Sequence, residues 1–460
     1  MNRLPSPLLF NTPRPSPAFG HSYVRKGYGR LLSYRLPIPS TSSISRRSHI
    51  STTASSRPVS ASSAHSTPTS TGITMSSPIY VAIIGVGLVG SEFISQLLSL
   101  SSRLASSSSS QPQIKLISLT SSTRTLYTGP ESPFGLKTHG DGRWKQLLSS
   151  GTSENADLDV LTDRLTHLVG NGQGKVVLVD NTSSEDVAKR YPGWLKKGIN
   201  VITPNKKAFS GEKELYDEII SSSSQLGGSN ARALNESTVG AGLPVISTLK
   251  ELLLTGDKVL KIEGVFSGTM SYIFNEFSTG KPDGPSFSSI VRVAREKGYT
   301  EPHPADDLNG YDVARKLTIL SRTISTYSTS TSKLPPLQSF LSVRTASLIP
   351  PALEGIPTGD EFLSRLPEYD DKFSEIRKKA SEEGKVLRFV GVVDVEKGEV
   401  RAGLEKYPID HPFATSLGGS DNIVMFHTER YSPRPLIVQG AGAGAAVTAM
   451  GVLGDLLKLS

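Results

Sequence analysis

Two periods of apolar and polar residues alternate along this chain, and the switches between them outline its elements. Ile79-Tyr-Val-Ala-Ile-Ile84 is an unbroken apolar run of strand length, the pattern of a strand buried on both faces. Gly85-Val-Gly87-Leu-Val-Gly90 follows at once. Glu92-Phe-Ile-Ser-Gln-Leu-Leu-Ser-Leu100 comes next, with Phe93, Ile94, Leu97 and Leu98 on one side of a helix. A second strand is predicted over 113–120, ending in Ser121-Ser-Thr-Arg124. Later, 258–266 and 386–395 read as strands and 304–325 as a helix. The serine-rich 101–112 reads as a linker, and the serine- and proline-rich 325–357 as a surface excursion. Strands alternating with helices before about residue 235 predict a doubly wound parallel sheet, and the mixed pattern after it predicts an α+β domain. Near the C-terminus, Gly440–Gly454 reads as a glycine turn opening a helix that packs back on the first domain.

Strand, glycine turn and helix N-terminus in that order is the setting a G-x-G-x-x-G needs to hold a dinucleotide. Gly85, Gly87 and Gly90, with Leu88 and Val89 between them, let the backbone approach a pyrophosphate, and the free N–H groups and dipole of the helix hold its charge. A site for NAD usually has an acidic residue at the end of the second strand, on the ribose 2′-hydroxyl. Here the next acid after Glu92 is Glu131, and hydroxyls with Arg124 stand in that place instead. They would tolerate a 2′-phosphate, so NADP is expected, with NAD as the alternative.

The densest chemistry lies in Glu301-Pro-His-Pro-Ala-Asp306-Asp307-Leu-Asn-Gly310-Tyr-Asp312-Val-Ala-Arg-Lys316. Asp312 and Lys316 are four apart, so on a helix they stand one above the other. Val313, Leu317, Leu320 and Ile324 form the buried stripe, which puts Lys316 at its border and turns Arg315 toward solvent. A lysine at the edge of a core, with carboxylates beside and upstream of it, suits proton transfer and the binding of an ammonium group; a surface ion pair is the plainer alternative.

Together these residues resemble the homoserine dehydrogenases of the short fungal type, from about residue 78 to the C-terminus. The resemblance also runs through Val179-Asp-Asn-Thr-Ser-Ser184, Ile202-Thr-Pro-Asn-Lys-Lys-Ala-Phe209, Asn235-Glu-Ser-Thr-Val-Gly-Ala-Gly-Leu-Pro244, Gly264–Phe277 and Gln439–Val447. It implies NAD(P)H-dependent reduction of L-aspartate 4-semialdehyde to L-homoserine, in threonine, methionine and isoleucine biosynthesis. By resemblance Lys316 is the proton-transfer residue with Asp312 beside it, and Glu301, Asp307 and Asp312 hold the amino-acid end of the substrate. Thr182, Lys206 and Gly444 match cofactor contacts. Glu236, Val239, Ala241 and Leu243 match a monovalent-cation (sodium) site formed largely by backbone carbonyls. Ser237 departs from the alanine expected of the fungal pattern. A homodimer through the second domain is also implied.

Absences narrow the alternatives. The chain has no cysteine, which removes thiol-dependent semialdehyde dehydrogenases and the usual thiolate zinc sites. No tyrosine precedes a lysine by four residues, and no two of the eight histidines have H-x-x-H or H-x-x-x-H spacing. A reductase of another amino-acid semialdehyde and a non-catalytic dinucleotide sensor are the remaining rivals. Residues 1–78 hold eight Arg, one Lys and no acid, a charge of +9 in a chain whose net charge is +8, so residues 79–460 sum to −1. The basic balance therefore belongs to the leader and does not point to nucleic acid. The leader, residues 1–77, is expected to be disordered or a transit peptide, but nine prolines before residue 70 oppose a long amphipathic helix and Met75 would suit a cytosolic start. A cytoplasmic enzyme is expected ahead of a mitochondrial one. No apolar run reaches the ~18 residues of a membrane helix. The expected organisation is a leader, a Rossmann-type nucleotide domain at 78–235, a catalytic and dimerisation domain at 236–430, and a segment at 431–460 returning to the nucleotide domain, with no regulatory domain after it.

Overall fold

The computed structural model describes residues 77–460 except 106–112, 136–138, 140–141, 225–228 and 329–331. The leader through residue 76, Met75, and residues 106–112 of the expected serine linker lie outside the described residues.

The run at 79–84 forms β1 (Ile79–Ile84), and all six of its residues are buried. Ile79, Val81 and Ile83 pack on one face with Phe93, Ile94, Leu97 and Leu98 of the helix Leu88–Ala105. Tyr80, Ala82 and Ile84 pack on the other face, in a second core. That two-sided burial is why the strand shows no alternation. β1 runs parallel to β2 (Ile114–Thr120) on one side and to β5 (Lys175–Asp180) on the other. With β3 (Arg124–Tyr127), β4 (Glu154–Asn155), β6 (Asn200–Ile202) and β7 (Ala233–Leu234) the sheet order is β4-β3-β2-β1-β5-β6-β7. β3 and β4 pair antiparallel at the edge, and the other strands are parallel. The chain leaves β1 for β2 on one side and later reaches β5 on the other, so a crevice opens beyond the carboxyl ends of β1 and β5. Ligands bind open α/β sheets at such switch points.

The second sheet has the order β13-β12-β8-β10-β11-β9: β8 (Val259–Val265), β9 (Arg344–Thr345), β10 (Lys385–Asp394), β11 (Glu399–Pro408), β12 (Asp421–Thr428) and β13 (Leu436–Ala441). It is antiparallel apart from the β9–β11 pair. The helix Tyr311–Tyr327 lies against β10 at Gly391. A Cβ at Gly391 would come within 2.8 Å of Leu317 and 3.0 Å of Val313, so the bare glycine lets the helix bearing Lys316 sit close to the sheet.

Four expectations change. The helix read over 304–325 is two helices, Ala305–Leu308 and Tyr311–Tyr327, broken at Gly310 with φ +76. A Cβ there would stand 2.8 Å from the Phe389 ring, so the break is fixed by both backbone and packing. The stretch 325–357 is no loose excursion. It adds β9 to the sheet edge and buries Leu334, Leu337, Val343, Leu348 and Leu353. Buried Arg322 pins it, donating to the carbonyls of Leu337 (3.0 Å) and Gln338 (2.9 Å). The third change is at 431–460, which begins as β13 of the second sheet and turns to the first domain only after Ala441. There the helix Ala445–Leu457 packs Ala449, Val452 and Leu456 beside Ile94 and Leu97, as the glycine turn predicted. Finally, the helix Tyr311–Tyr327 is buried on all sides along its middle turns, where the wheel predicts one apolar stripe.

Candidate active site

Lys316 is buried, at 6 % exposure, deeper than the border position expected of it. Its Nζ lies 2.7 Å from Asp312 Oδ2, and it donates to the carbonyl of Phe266, just past β8, at 2.5 Å. Asn422 of β12 donates to the same carbonyl from its Nδ2 at 3.0 Å. Asp312 caps this arrangement from above, its side chain 42 % open to the cleft, and its other oxygen lies 3.3 Å from Lys206 Nζ. Lys206 comes from the first domain, at the turn after β6, so the pair is shared between domains. Burial pushes the Lys316 ammonium below the ordinary lysine range; Asp312 opposes this and the Lys206 charge adds to it. Burial pushes the Asp312 carboxyl up, but Lys206 and Lys316 together outweigh it and hold the group well below the usual carboxylate range. A lysine whose proton is loosened by burial, yet held in place by a carboxylate that stays ionised, is equipped to give that proton away.

Asp307 stands one helix earlier, before the Gly310 break. Its Oδ2 accepts the Glu301 N–H at 2.8 Å, and its Oδ1 lies 2.8 Å from the Thr269 hydroxyl. Burial pushes its carboxyl up to about 6 despite those bonds, with Glu301 and Asp312 adding like charge. Glu301 is exposed. Asp307 thus feels the charges of both Glu301 and Asp312, and Asp312 contacts Lys316, so the carboxylates make a field that attracts an ammonium group.

At the switch point the glycines divide their work. Gly85 has φ +88, and a Cβ there would meet Thr182 Cγ2 at 2.7 Å. A Cβ at Gly90 would meet the Gly85 carbonyl at 2.0 Å, so these two are fixed by the turn and by helix–strand packing. A Cβ at Gly87 would meet nothing within 4 Å, and Leu88 is 86 % exposed. The helix ladder starts with the Ser91 N–H bonding to the Gly87 carbonyl at 2.8 Å, leaving the Leu88, Val89 and Gly90 N–H groups ahead of it. That open cradle fits a pyrophosphate. Thr182 adjoins the turn, and Gly444 (φ +113) opens the C-terminal helix, whose first turn is tied to the first domain by Gln96 Nε2 donating to the Ala446 carbonyl (3.0 Å).

Arg124 is not the free guanidinium the sequence suggests. It donates to Ser153 Oγ (2.8 Å), Asn155 Oδ1 (3.1 Å) and the carbonyls of Ser150 and Ser153. It is a staple for the 150–155 turn. Arg315 also departs from expectation: its guanidinium stacks 3.6 Å over Phe340 and is half-buried. In the loop after β7, Glu236 is buried and its carboxylate is already committed. It accepts the N–H groups of Ile246 (2.8 Å) and Ser247 (3.0 Å) at the start of the helix Val245–Leu254, and Lys458 Nζ lies 3.2 Å away. Of the loop's carbonyls, that of Leu243 accepts the Val245 N–H (2.8 Å) and that of Glu236 the Val239 N–H (3.4 Å), each oxygen keeping a second lone pair. Ala241, with φ +55, is the one described non-glycine residue in the left-handed region, backbone strain of the kind that gathers at functional sites. Among the described residues no three His, Cys, Asp or Glu cluster as a metal site. Thr269, Asn422 and Asp180 escaped the sequence reading as separate contributors; Thr269 and Asp180 stand in motifs it singled out, whereas Asn422 lies in none.

A parallel-sheet domain whose turn can take a pyrophosphate, sharing an ion cluster with a domain that offers a proton donor, is the working plan of a nicotinamide-dependent oxidoreductase. The family model for the homoserine dehydrogenase NAD-binding domain matches residues 85–230, and that for homoserine dehydrogenase matches 244–457. The chain belongs to the homoserine dehydrogenase family. It is 45 % identical over 382 residues to the homoserine dehydrogenase of Schizosaccharomyces pombe, covering 83 % of this chain and 95 % of that one. A crystal structure of a Candida auris protein of unknown function shares 43 % identity at TM-score 0.73, over 84 % of this chain and 98 % of the other. A hyperthermophilic archaeal homoserine dehydrogenase in complex with NADPH shares the fold, at 22 % identity and TM-score 0.58, over 83 % of this chain and 97 % of that one.

Proposed function

We propose that this chain reduces the aldehyde of L-aspartate 4-semialdehyde to L-homoserine, with Lys316 as the proton donor. The observation that carries the reading is the buried Lys316 ammonium, 2.7 Å from an ionised Asp312 that also faces Lys206 at 3.3 Å. The Gly85–Gly90 turn, with Thr182, Lys206 and Gly444, would hold the nicotinamide cofactor, which would supply the hydride to the aldehyde carbon. Lys316 gives its proton to the oxygen as that atom gains charge, and Asp312 and the Phe266 carbonyl keep the ammonium aimed. Glu301 and Asp307 bind the substrate ammonium. Of the rival readings, a sensor without turnover has no use for a lysine buried this deeply.

NADP is the cofactor we infer, because Ser122 and Thr123 are exposed beyond β2 and no carboxylate ends that strand. Arg124, being committed elsewhere, no longer supports that preference. We further infer a sodium site formed by backbone carbonyls of Glu236, Val239, Ala241 and Leu243, without the Glu236 carboxylate. A homodimer through the second domain fits the sheet face away from the helix Tyr311–Tyr327. There Ile437 is left 41 % exposed on the edge strand β13, beside a small core of Val390, Val392 and Met425 that Phe413 helps to close within the single chain. No helix among the described residues is long and apolar enough to cross a membrane; a cytoplasmic location is our reading, a mitochondrial one the alternative through the leader.

Purified protein should oxidise L-homoserine, followed by nicotinamide absorbance, with a higher kcat/KM for NADP than for NAD. A preference for another amino-acid semialdehyde in the reducing direction would replace the substrate assignment. Binding of NADPH without turnover of any semialdehyde would leave the sensor reading in its place.

A further inference from the structure

Asp180, the last residue of β5, is completely buried and forms no ion pair among the described residues. Burying a carboxylate without a cation is costly unless donors converge on it. Three segments supply them. Asp180 Oδ1 accepts the Thr182 N–H at 2.8 Å. Its Oδ2 accepts the hydroxyl of Tyr191, which is itself completely buried, and the Asn205 Nδ2 amide at 3.1 Å. The Asp180 carbonyl accepts the Thr203 hydroxyl at 2.7 Å. Asn205 also donates to the Ser184 carbonyl at 2.8 Å and accepts the Lys207 N–H at 3.1 Å, so its amide ties the turn after β5 to the turn after β6.

These two turns carry Thr182, beside the glycine cradle, and Lys206, which reaches Asp312 at 3.3 Å. One buried carboxylate therefore anchors the neighbours of both the cofactor and the proton donor. A carboxylate suits the position because it accepts on both oxygens, whereas an amide would face one of these donors with another donor.

We propose that Asp180 and Tyr191 are a positioning pair that sets Thr182 and Lys206 in one fixed relation, and through Lys206 aims Asp312 and Lys316. This rests on the dehydrogenase reading above. The competing account is that the pair merely fastens two strand ends and contributes stability alone.

A matched control separates them. Trp194, one turn along the helix Tyr191–Lys196, donates its buried Nε1–H to Thr162 Oγ1 at 2.8 Å, away from Asp180. Tyr191→Phe and Thr162→Val each remove one partner of a buried hydrogen bond in the same domain. Both should lower Tm to a similar extent. Only Tyr191→Phe should weaken NADPH binding, read by fluorescence titration without substrate, and lower kcat, each by about tenfold, or about 1.4 kcal/mol. Should Tyr191→Phe not fold, Asn205→Ala reads the same coupling and should raise the Kd and lower kcat together. The proposal is overturned if the folded variant loses Tm but keeps Kd and kcat within about twofold of wild type, as Thr162→Val should. If the wild-type protein binds NADPH but turns over no semialdehyde, and Tyr191→Phe still weakens binding, the dehydrogenase reading fails while the positioning of Thr182 stands.

Discussion

Replacing Asp307 by Asn removes a charge that the folded protein holds at a cost. Burial, with the like charges of Glu301 and Asp312 behind it, pushes this carboxyl from 3.8 up to about 6, against hydrogen bonds from the Glu301 N–H and the Thr269 hydroxyl. A folded-state value above the unfolded one means the native state binds the extra proton. Its contribution to stability is complete below the unfolded value, and is lost as pH rises through the folded one, here between about pH 4 and 6. A gap of about two units at about 1.4 kcal/mol each sets a ceiling of about 3 kcal/mol. The carboxyl is only partly buried, and solvent screening reduces this to about 1–2 kcal/mol. Asparagine can keep both contacts, its Oδ1 toward the Glu301 N–H and its Nδ2 toward the Thr269 oxygen. Asp307→Asn should therefore be more stable than wild type above about pH 7 by about 1 kcal/mol, and should flatten the slope of stability between about pH 4 and 6. Urea unfolding at three pH values reads this directly. The same variant should raise KM for the semialdehyde, because the substrate ammonium loses a charged partner, and should leave NADPH affinity unchanged. A variant less stable than wild type at every pH, or one with unaltered KM, would refute the reasoning.

Arg315→Ala should lower stability by about 1–2 kcal/mol through the lost stacking on Phe340, with kcat within about threefold of wild type; a loss of kcat as large as that of a Lys316 variant would mean Arg315 belongs to the chemistry. Glu236→Ala should uncap the helix Val245–Leu254 and cost about 1–3 kcal/mol at any salt concentration. If stability is kept but the response to sodium disappears, the carboxylate is a cation ligand after all. Glu301→Ala should act mainly through KM for the semialdehyde, and a change confined to kcat would remove it from the substrate's amino end.

What was legible in the sequence was whatever periodicity or a motif could carry. The run at 79–84 announced a strand buried on both faces, and the glycine turn announced both its helix and its cradle, because short-range geometry fixes those features. The i, i+4 spacing found the contact of Lys316 with Asp312. It could not find how deeply Lys316 lies, since the helix Tyr311–Tyr327 is covered on several sides by β10, by the helix Val245–Leu254 and by the strap around Phe340. Those neighbours come from residues tens to more than seventy positions away. The same distance hid the true partners of Arg315 and Arg124, whose guanidiniums are taken up by Phe340 and by the 150–155 turn. Gly310 was visible as a glycine, but its left-handed backbone and its closeness to Phe389, which break the helix between Asp307 and Asp312, were not. Tyr191 carried no signal at all, because its role exists only where three turns meet.

The account stands on Lys316 as proton donor, and the most direct test is the Lys316→Ala variant measured two ways. In steady-state reduction of aspartate 4-semialdehyde, kcat should fall by about 10²–10⁴-fold, the range of general acid catalysis. In direct titration, its affinity for NADPH should stay close to that of wild type. In the wild-type protein, kcat for reduction should decline as pH rises through the lysine's lowered pKa, and the variant should lose that limb. A kcat reduced less than about tenfold with the same limb intact, or an equal loss of NADPH binding, would contradict the assignment.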